Sequence, residues 1–445
     1  MRIGIVGSGY VGTVTGACMS ELGHQVVCAD INEARIQALA EGHLPFYEDG
    51  LEPLLQNNLK AGRLSFSADI QATVAQSEIV FICVGTPPLP DGRPDTRALN
   101  KALRTIAAGI NDYKIIVEKS TLPIKTGAWL QEELKKGQTK EVPFDLASVP
   151  QFLREGHAVK DFFHPDRIVI GAEKQDVVDT LVNLYDPLNA PMLITDINTA
   201  VMIKHATNAF LAMKISFINS LAPLCEHTGA DVTQVAKGLG MDNRIADAFL
   251  NAGLGYGGIF FPKDIASLLN IADEYHVNLD LLKTTEVINR YQRITFMERV
   301  EKALDHSLHG KTIAVWGLAY RPHTDDLRDA PSLQIIHGLQ HRGAKIRAFD
   351  PLAMDNARQK LKGVQFCNDP YEAAQGADAI AILTEWEAFS QVNFQKLKES
   401  TTCRTIVDGR NLLNPKRMAE LGFQYVSIGR RTLTPSSAEG VPASL

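Results

Sequence analysis

At 445 residues the chain is too long for a single hydrophobic core, and two or three domains are expected. With 45% hydrophobic and 22% charged residues it has the composition of an ordinary globular protein, and a formal net charge of −6 gives no electrostatic basis for nucleic acid or an anionic membrane as partner. The six cysteines (Cys18, Cys28, Cys83, Cys225, Cys367, Cys403) are scattered without a C-x-x-C pair. That pattern implies reduced thiols in a cytoplasmic protein rather than disulfides or a zinc site.

The chain opens with "MRIGIVGSGY", a strand that runs directly into glycines, which is read as a fold with no signal peptide before it. No apolar run is expected to reach the roughly 20 residues of a membrane span. From residue 1 to 195, short β-branched runs ("IGIVG", "QVVCAD", "EIVFICVG", "KIIVEKS", "FDLASV", "DRIVIG") alternate with helical segments, the pattern of βα units on a parallel sheet. From 196 to 305 the strand signals stop. One long helix, "NTAVMIKHATNAFLAMKISFINSLAPLCEHTG", ends at Gly229, and further helices are expected around 264–275 and 281–304. Between 306 and 430 the βα rhythm returns with "KTIAVWGLAY", "AKIRAFDP", "DAIAILTEW" and "TIVDGRN"; residues 431–445 read as a flexible tail. The expected architecture is two Rossmann-like, doubly wound α/β domains joined by a long central helix. Such a helix serves either as a dimer surface or as an internal spine.

Gly7, Gly9 and Gly12 form G-x-G-x-x-G between a strand and a helix, and the next strand ends at Asp30. This arrangement turns the chain tightly, seats a pyrophosphate on a helix N-terminus and offers a carboxylate to ribose hydroxyls, so a dinucleotide site is expected. Asp30 would repel a ribose 2′-phosphate, which favours NAD over NADP. The second α/β domain carries only Gly317 after its first strand and should hold a different ligand.

Several polar groups admit both a structural and a chemical reading. Lys204 and Asn208 share one helix face amid apolar neighbours: a wetted edge, or a pair aimed into a cleft. Asp264 follows Pro262 where a helix should start and could be a plain N-cap. Ser120 and Thr121 end a strand, where α/β sheets collect ligands, or are turn hydroxyls. Arg328 and Arg410 lie in loops after strands, suited to phosphate or simply solvated. His337 and His341 are one helical turn apart but lack a third metal ligand, so no metal is expected.

Together the segments "GSGYVG", "VGTP", "KST", "DFFHPDRIVIG", "KHATNAFLAMKISFIN", "GYGG", "FPKD", "INRYQ", "GLAYRP", "TDDLRDAPS", "TEWEAF" and "DGRN" resemble the UDP-glucose/GDP-mannose dehydrogenase family, over residues 1 to about 430. "FPKD" and "ATNAFLAMKISF" are most similar to its UDP-glucose branch. The resemblance implies an N-terminal NAD domain, a dimer-forming central helix and a C-terminal sugar-nucleotide domain. It also implies oxidation of the sugar C6 alcohol to a carboxylate (UDP-glucose to UDP-glucuronate) with two NAD. By the same resemblance Lys204, Asn208, Asp264, Thr121 and Glu155 surround the reaction. Gly7, Gly9, Tyr10, Val11, Gly12, Asp30, Arg35, Thr86, Thr121, Lys263 and Arg328 would hold the cofactor. Phe152, Leu153, Lys204, Asn208, Arg244, Phe249, Leu250, Tyr256, Gly257, Arg321 and Arg410 would hold the substrate, with Arg244 reaching a neighbouring subunit's substrate.

The chain departs from the family pattern at two functional places. Where the family loop reads G-x-G-G-x-C-F-P-K-D, this chain has "GYGGIFFPKD", so Phe260 stands at the cysteine nucleophile. Where the family reads N-P-E-F-L-R-E-G, this chain has Val149 and Gln151 in place of the asparagine and first glutamate. A phenyl ring forms no thiohemiacetal, and a neutral amide takes no proton from water. Three outcomes stay open: a full 6-dehydrogenase aided by Glu155, a two-electron oxidoreductase that stops at the aldehyde, and a non-catalytic protein that binds NAD and a UDP-sugar.

Overall fold

The computed structural model describes residues 1–87, 89, 93–120 and 126–435. The chain divides into two compact units, Met1–Asn208 with Lys263–Asn278, and Ala209–Pro262 with Leu279 onward. The central helical segment contributes residues to both units.

The first unit holds strands β1 (Arg2–Val6), β2 (Gln25–Ala29), β3 (Leu64–Ser67), β4 (Ile79–Ile82), β5 (Lys114–Glu118), β6 (Phe144–Ser148), β7 (Ile168–Ala172) and β8 (Met192–Thr195). Their order is β3-β2-β1-β4-β5-β6-β7-β8. All neighbouring pairs are parallel except β6 and β7, which departs from the all-parallel sheet expected. Continuous apolar runs such as Ile79–Ile82 are what a parallel sheet covered on both faces demands. Successive residues feed opposite faces: Ile3, Ile5, Ile79, Phe81, Ile115 and Val117 enter one core, while Val6, Val80, Ile82 and Ile116 enter the other. Each fully buried aliphatic of this kind contributes about 1.5–3 kcal/mol.

The second unit holds β9 (Thr312–Trp316), β10 (Lys345–Phe349), β11 (Val364–Phe366), β12 (Ala379–Ile382), β13 (Thr405–Asp408) and β14 (Gln424–Ser427), all parallel in the order β11-β10-β9-β12-β13-β14. Ile313 and Val315 face one core and Ala314 and Trp316 the other. The segment read as a tail begins in order: the Leu433 and Tyr425 backbones exchange hydrogen bonds of 2.8 and 3.1 Å, and residues 436–445 lie outside the described residues.

The long helix spans Ile197–Thr228, with Pro223 inside it, and is followed by left-handed Gly229 as its terminator. By length and composition it is apolar enough to cross a membrane, contrary to the expectation that no segment approaches a span. Half of its most apolar stretch is packed inside the chain, as in a core helix, and the buried Lys204, Asn208 and Lys214 interrupt it. Three further helices, Val232–Gly240, Phe260–Glu274 and Asp280–Ala303, complete the central segment.

Candidate active site

The glycine turn has three distinct reasons for its glycines. Gly7 ends β1 at φ 102°, and a Cβ there would lie 2.7 Å from the Cys83 carbonyl oxygen. A Cβ on Gly12 would lie 1.8 Å from the Gly7 oxygen, so strand and helix close together only without it. Gly9 is different: a Cβ there would meet nothing within 4 Å, so its side-chain space opens outward. Gly9 is the N-cap of helix Tyr10–Glu21 with no side-chain cap, which leaves that helix end suited to an anion. Val11 packs in the helix's first turn against the core.

Asp30 follows β2 directly. Its Oδ2 accepts from the Ser8 amide at 2.8 Å and from Arg35 Nη1 at 3.1 Å, and its Oδ1 accepts from the Asn32 amide at 3.0 Å. The carboxylate is thereby held at the turn. Sequence reasoning missed Glu48, which accepts from the Tyr10 hydroxyl and from the Gly156 and Ala158 amides at 2.6 and 2.7 Å. Burial pushes its carboxyl above the usual range. Glu48 ties the glycine-turn helix to the segment after Gln151, across more than a hundred residues, and no local pattern marks it.

The polar pair on the long helix is buried, not a wetted edge: Lys204 is 3% and Asn208 5% exposed. Asn208 Nδ2 donates to Asp264 Oδ2, and Asp264 is fully buried. The plain-cap reading of Asp264 needs correction. The helix begins at Phe260, so Asp264 lies a turn inside it, with its carboxylate turned to the long helix. His205, also missed, places Nδ1 3.5 Å from Asp264 Oδ1; its place beside Lys204 in "KHATN" was the available signal. Lys263 Nζ donates to Thr86 Oγ1 at 2.6 Å, which joins two residues expected at the cofactor. The Phe152 ring has Arg167 Cζ 3.7 Å from its centroid and Lys204 Nζ at 5.3 Å. Burial lowers Lys204 to about 8, with Asp264 opposing the shift and the charges of Arg167, Lys263 and Lys119 adding to it. Burial also lowers Lys263 and Lys119 to about 8. The first unit thus gathers several cations around one aspartate, a field that favours a developing oxyanion and a cofactor diphosphate.

Gln151 is buried, and its Oε1 accepts from the Leu153 amide at 2.8 Å, while Glu155 is 2% exposed. Leu153 packs against the core. Ser120 Oγ donates to the Ile82 carbonyl at 3.2 Å, the turn-hydroxyl role; Thr121 lies outside the described residues.

The remaining expected residues belong to the second unit. Leu250 is 3% exposed and packs in its core. Phe249 takes a left-handed φ of 65°, uncommon for a bulky side chain. Tyr256 is buried and donates its hydroxyl to Glu286. A Cβ on Gly257 would lie 2.4 Å from the Asp329 carbonyl oxygen. Arg410 donates Nε to the Leu383 carbonyl at 2.8 Å and lies 3.1 Å from Glu385, and its Nη1 reaches the Gly255 carbonyl at 3.3 Å, so it is not simply solvated. Arg328 is exposed and paired to Asp326 at 2.6 Å, and Arg244 is exposed and paired to Asp242 at 2.7 Å. Arg321 is half-buried in the loop after β9. Among the described residues no group of three or more His, Cys, Asp or Glu could hold a metal.

Residues 1–189 match the NAD binding domain of the UDP-glucose/GDP-mannose dehydrogenase family, 198–291 its central domain and 314–415 its UDP binding domain. The UDP-glucose 6-dehydrogenase of Rhizobium meliloti is 42% identical over 436 residues, covering 97% of this chain and 100% of that protein. The UDP-glucose 6-dehydrogenase of Pseudomonas aeruginosa is 40% identical over 442 residues, covering 97% and 98%. A UDP-glucose dehydrogenase structure from Pyrobaculum islandicum superposes with a TM-score of 0.88 at 35% identity, over 92% of this chain and 94% of that one. With the glycine turn, the aspartate after β2 and the buried lysine–asparagine–aspartate group in place, the chain belongs to the UDP-glucose/GDP-mannose dehydrogenase family and is an NAD-dependent oxidoreductase acting on a CH–OH group.

Proposed function

We propose that the protein is a nucleotide-sugar 6-dehydrogenase of the UDP-glucose type that performs the first two-electron oxidation and leaves the C6 aldehyde as product. The observation that carries this reading is the intact Lys204–Asn208–Asp264 group next to a helix whose first residue is Phe260 instead of a nucleophile. NAD, when bound, supplies the hydride acceptor. Lys204, lowered to about 8 by burial, is neutral in about a tenth of molecules at pH 7, far more than an ordinary lysine, and takes the proton of the C6 hydroxyl as the C6–H hydride leaves. Asn208 and the surrounding cations stabilise the charge developing on that oxygen.

The second oxidation lacks its groups. Phe260 offers no lone pair for an adduct and Gln151 no base for a water. The six thiols are all buried, Cys225 within the second unit's core, and burial raises Cys18, Cys28, Cys83, Cys367 and Cys403, Cys83 to about 12 and Cys403 to about 11. Residues 1–195 are assigned to NAD and 306–430 to the UDP-sugar, and we assign the protein to the cytoplasm, a reading that the six free thiols support.

We further assign a homodimer through the central helices. Phe210, Phe217 and Leu224 recur every seven residues on the long helix at 58, 46 and 60% exposure, and Leu281, Val287 and Tyr291 are exposed on the helix after it. An apolar stripe of this kind calls for a partner. Arg244, extended into solvent, would then serve the neighbouring subunit.

Counting NADH formed per UDP-glucose consumed tests the reading. One is expected, with an aldehyde trapped by hydroxylamine; two, with a carboxylate product, defeats it, and zero with both ligands bound leaves a binding protein. Phe260→Cys combined with Gln151→Glu is expected to raise the ratio to two. For the dimer, Phe217→Glu is expected to halve the mass measured by light scattering.

A further inference from the structure

The glycine loop before Phe260 is gripped on every side by its own unit. Asn289 Oδ1 accepts from the Tyr256 amide at 2.8 Å, and its Nδ2 donates to the Tyr256 carbonyl at 3.2 Å. Arg293 Nη2 donates to the same carbonyl at 2.9 Å, while the guanidinium forks onto Asp329 at 3.1 and 3.2 Å. Asn219 accepts from the Gly253 amide at 2.8 Å, and the Gly258 amide donates to the Arg328 carbonyl at 3.0 Å. Asn219, Asn289 and Arg293 are all at least nine-tenths buried.

The glycines record how tight this grip is. A Cβ on Gly255 would lie 2.1 Å from Asn289 Oδ1, and one on Gly258 would lie 2.8 Å from the Tyr320 ring. Both glycines also have positive φ, at 84° and 77°. A surface loop needs no such support to remain soluble. Burying an arginine and two amides to hold one peptide is reasonable where the backbone of that peptide must be placed accurately.

We propose that Asn289, Arg293 and Asp329 are positioning residues that fix the Tyr256–Gly258 backbone for recognition of the sugar nucleotide. The inference rests on the UDP-glucose reading above. With Phe260 unable to react, the loop serves binding rather than covalent chemistry. The clamp then governs affinity for the sugar nucleotide and leaves NAD affinity alone, because NAD is held by the glycine turn after β1.

The experiment measures UDP-glucose and NAD binding by calorimetry on the full-length protein and on Arg293→Lys and Asp329→Asn, with KM, kcat and melting temperature recorded alongside. A lysine cannot serve the Tyr256 carbonyl and both Asp329 oxygens together. The expected result is a five- to tenfold weaker UDP-glucose affinity and a matching rise in KM, with kcat and NAD affinity changed less than twofold. Unchanged UDP-glucose binding in both variants, or an equal loss of NAD binding, overturns the clamp alone. Absence of UDP-glucose binding in the unsubstituted protein overturns the substrate reading and the clamp with it. Hydrogen exchange on the unsubstituted chain gives a reading that needs no variant: the Gly253, Tyr256 and Gly258 amides are expected to be protected and to slow further with UDP-glucose. No change on adding UDP-glucose counts against the proposal.

Discussion

The two sheets of this protein start the same way and end with different uses. In each, the first strand closes on a glycine with a left-handed φ, 102° at Gly7 and 95° at Gly317. In each, that glycine's amide donates to the last residue of the second strand, Ala29 at 2.7 Å and Phe349 at 2.8 Å. In each an aspartate follows, Asp30 or Asp350. The difference lies in what the carboxylate and the turn still have to offer. Asp350 accepts five hydrogen bonds, from the amides of Leu318, Ala319, Leu352 and Ala353 and from Trp386 Nε1, all at 2.7–3.2 Å. Asp30 accepts two amides and Arg35. Where Gly9 opens outward and starts a helix, Ala319 is buried and the next helix waits until Pro331. A shared topology therefore does not fix what a turn presents; the second lacks the open glycine and the immediate helix N-terminus of the first.

The most direct way to break this comparison is Gly9→Val. A Cβ at this position meets nothing within 4 Å, so the melting temperature should hold, while NAD affinity falls about 100-fold because the diphosphate would have to approach through the added side chain. Retained affinity would mean the open space is not where the cofactor lies. The converse change, Ala319→Gly, is expected to create no NAD binding in the second sheet.

Lys204→Met comes next. Turnover should drop about 10²- to 10³-fold with NAD affinity preserved, since the lysine acts on the substrate proton. Burial has lowered its pKa to about 8, so the neutral amine grows as pH rises toward that value. The unsubstituted rate should climb between pH 6 and 8 and then level. A rate flat across that range removes Lys204 as the base.

Charge-neutral replacements of the two aspartates sharpen the contrast further. Asp350→Asn is expected to destabilise folding by about 3 kcal/mol in urea titrations, since several charge-assisted bonds weaken at once. Asp30→Asn should cost about 1 kcal/mol of stability and show its main effect as a roughly tenfold weaker NAD affinity with relaxed rejection of NADP. Equal stability losses would erase the distinction between a structural and a ligand carboxylate.

The smallest effect is expected at Lys119, a buried ammonium 3.5 Å from the Val149 carbonyl and from the Tyr185 hydroxyl. Its folded pKa of about 8 lies below its ordinary value, so burying the charge costs stability in full below pH 8. That cost shrinks between pH 8 and about 10.5, where the unfolded chain alone is protonated. Lys119→Met should therefore stabilise by about 1 kcal/mol at pH 7, with the gain fading by pH 10; a pH-independent difference would contradict the origin assigned to it.

Much of the architecture was legible because its signals are local. The glycine turn, the β-branched runs and the stop at Gly229 are each written within a few residues. Lys204, Asn208 and Asp264 were legible as candidates, but their mutual contact was not, since 56 residues separate Asn208 from Asp264. Glu48 was invisible for the same reason: nothing near it in sequence indicates that it will accept the Gly156 and Ala158 amides. The helix Ile197–Thr228 is apolar enough by length and composition to cross a membrane, a property not expected from the sequence, while Lys204, Asn208 and Lys214 along it are buried within the fold.

The sequence alone determined which chemistry is available: two βα sheets, one phosphate turn, and a phenylalanine where a thiolate would be needed. These follow from residue identity and short-range backbone geometry, which a chain carries wherever it goes. Only the tertiary structure decided that Asp264 faces Asn208 rather than capping its own helix, that Asp350 is consumed internally while Asp30 is not, and that Asn289 and Arg293 hold the glycine loop. Those outcomes depend on which distant donors arrive at a buried acceptor, because an ionised or polar group removed from water settles with whatever partners the packed fold supplies.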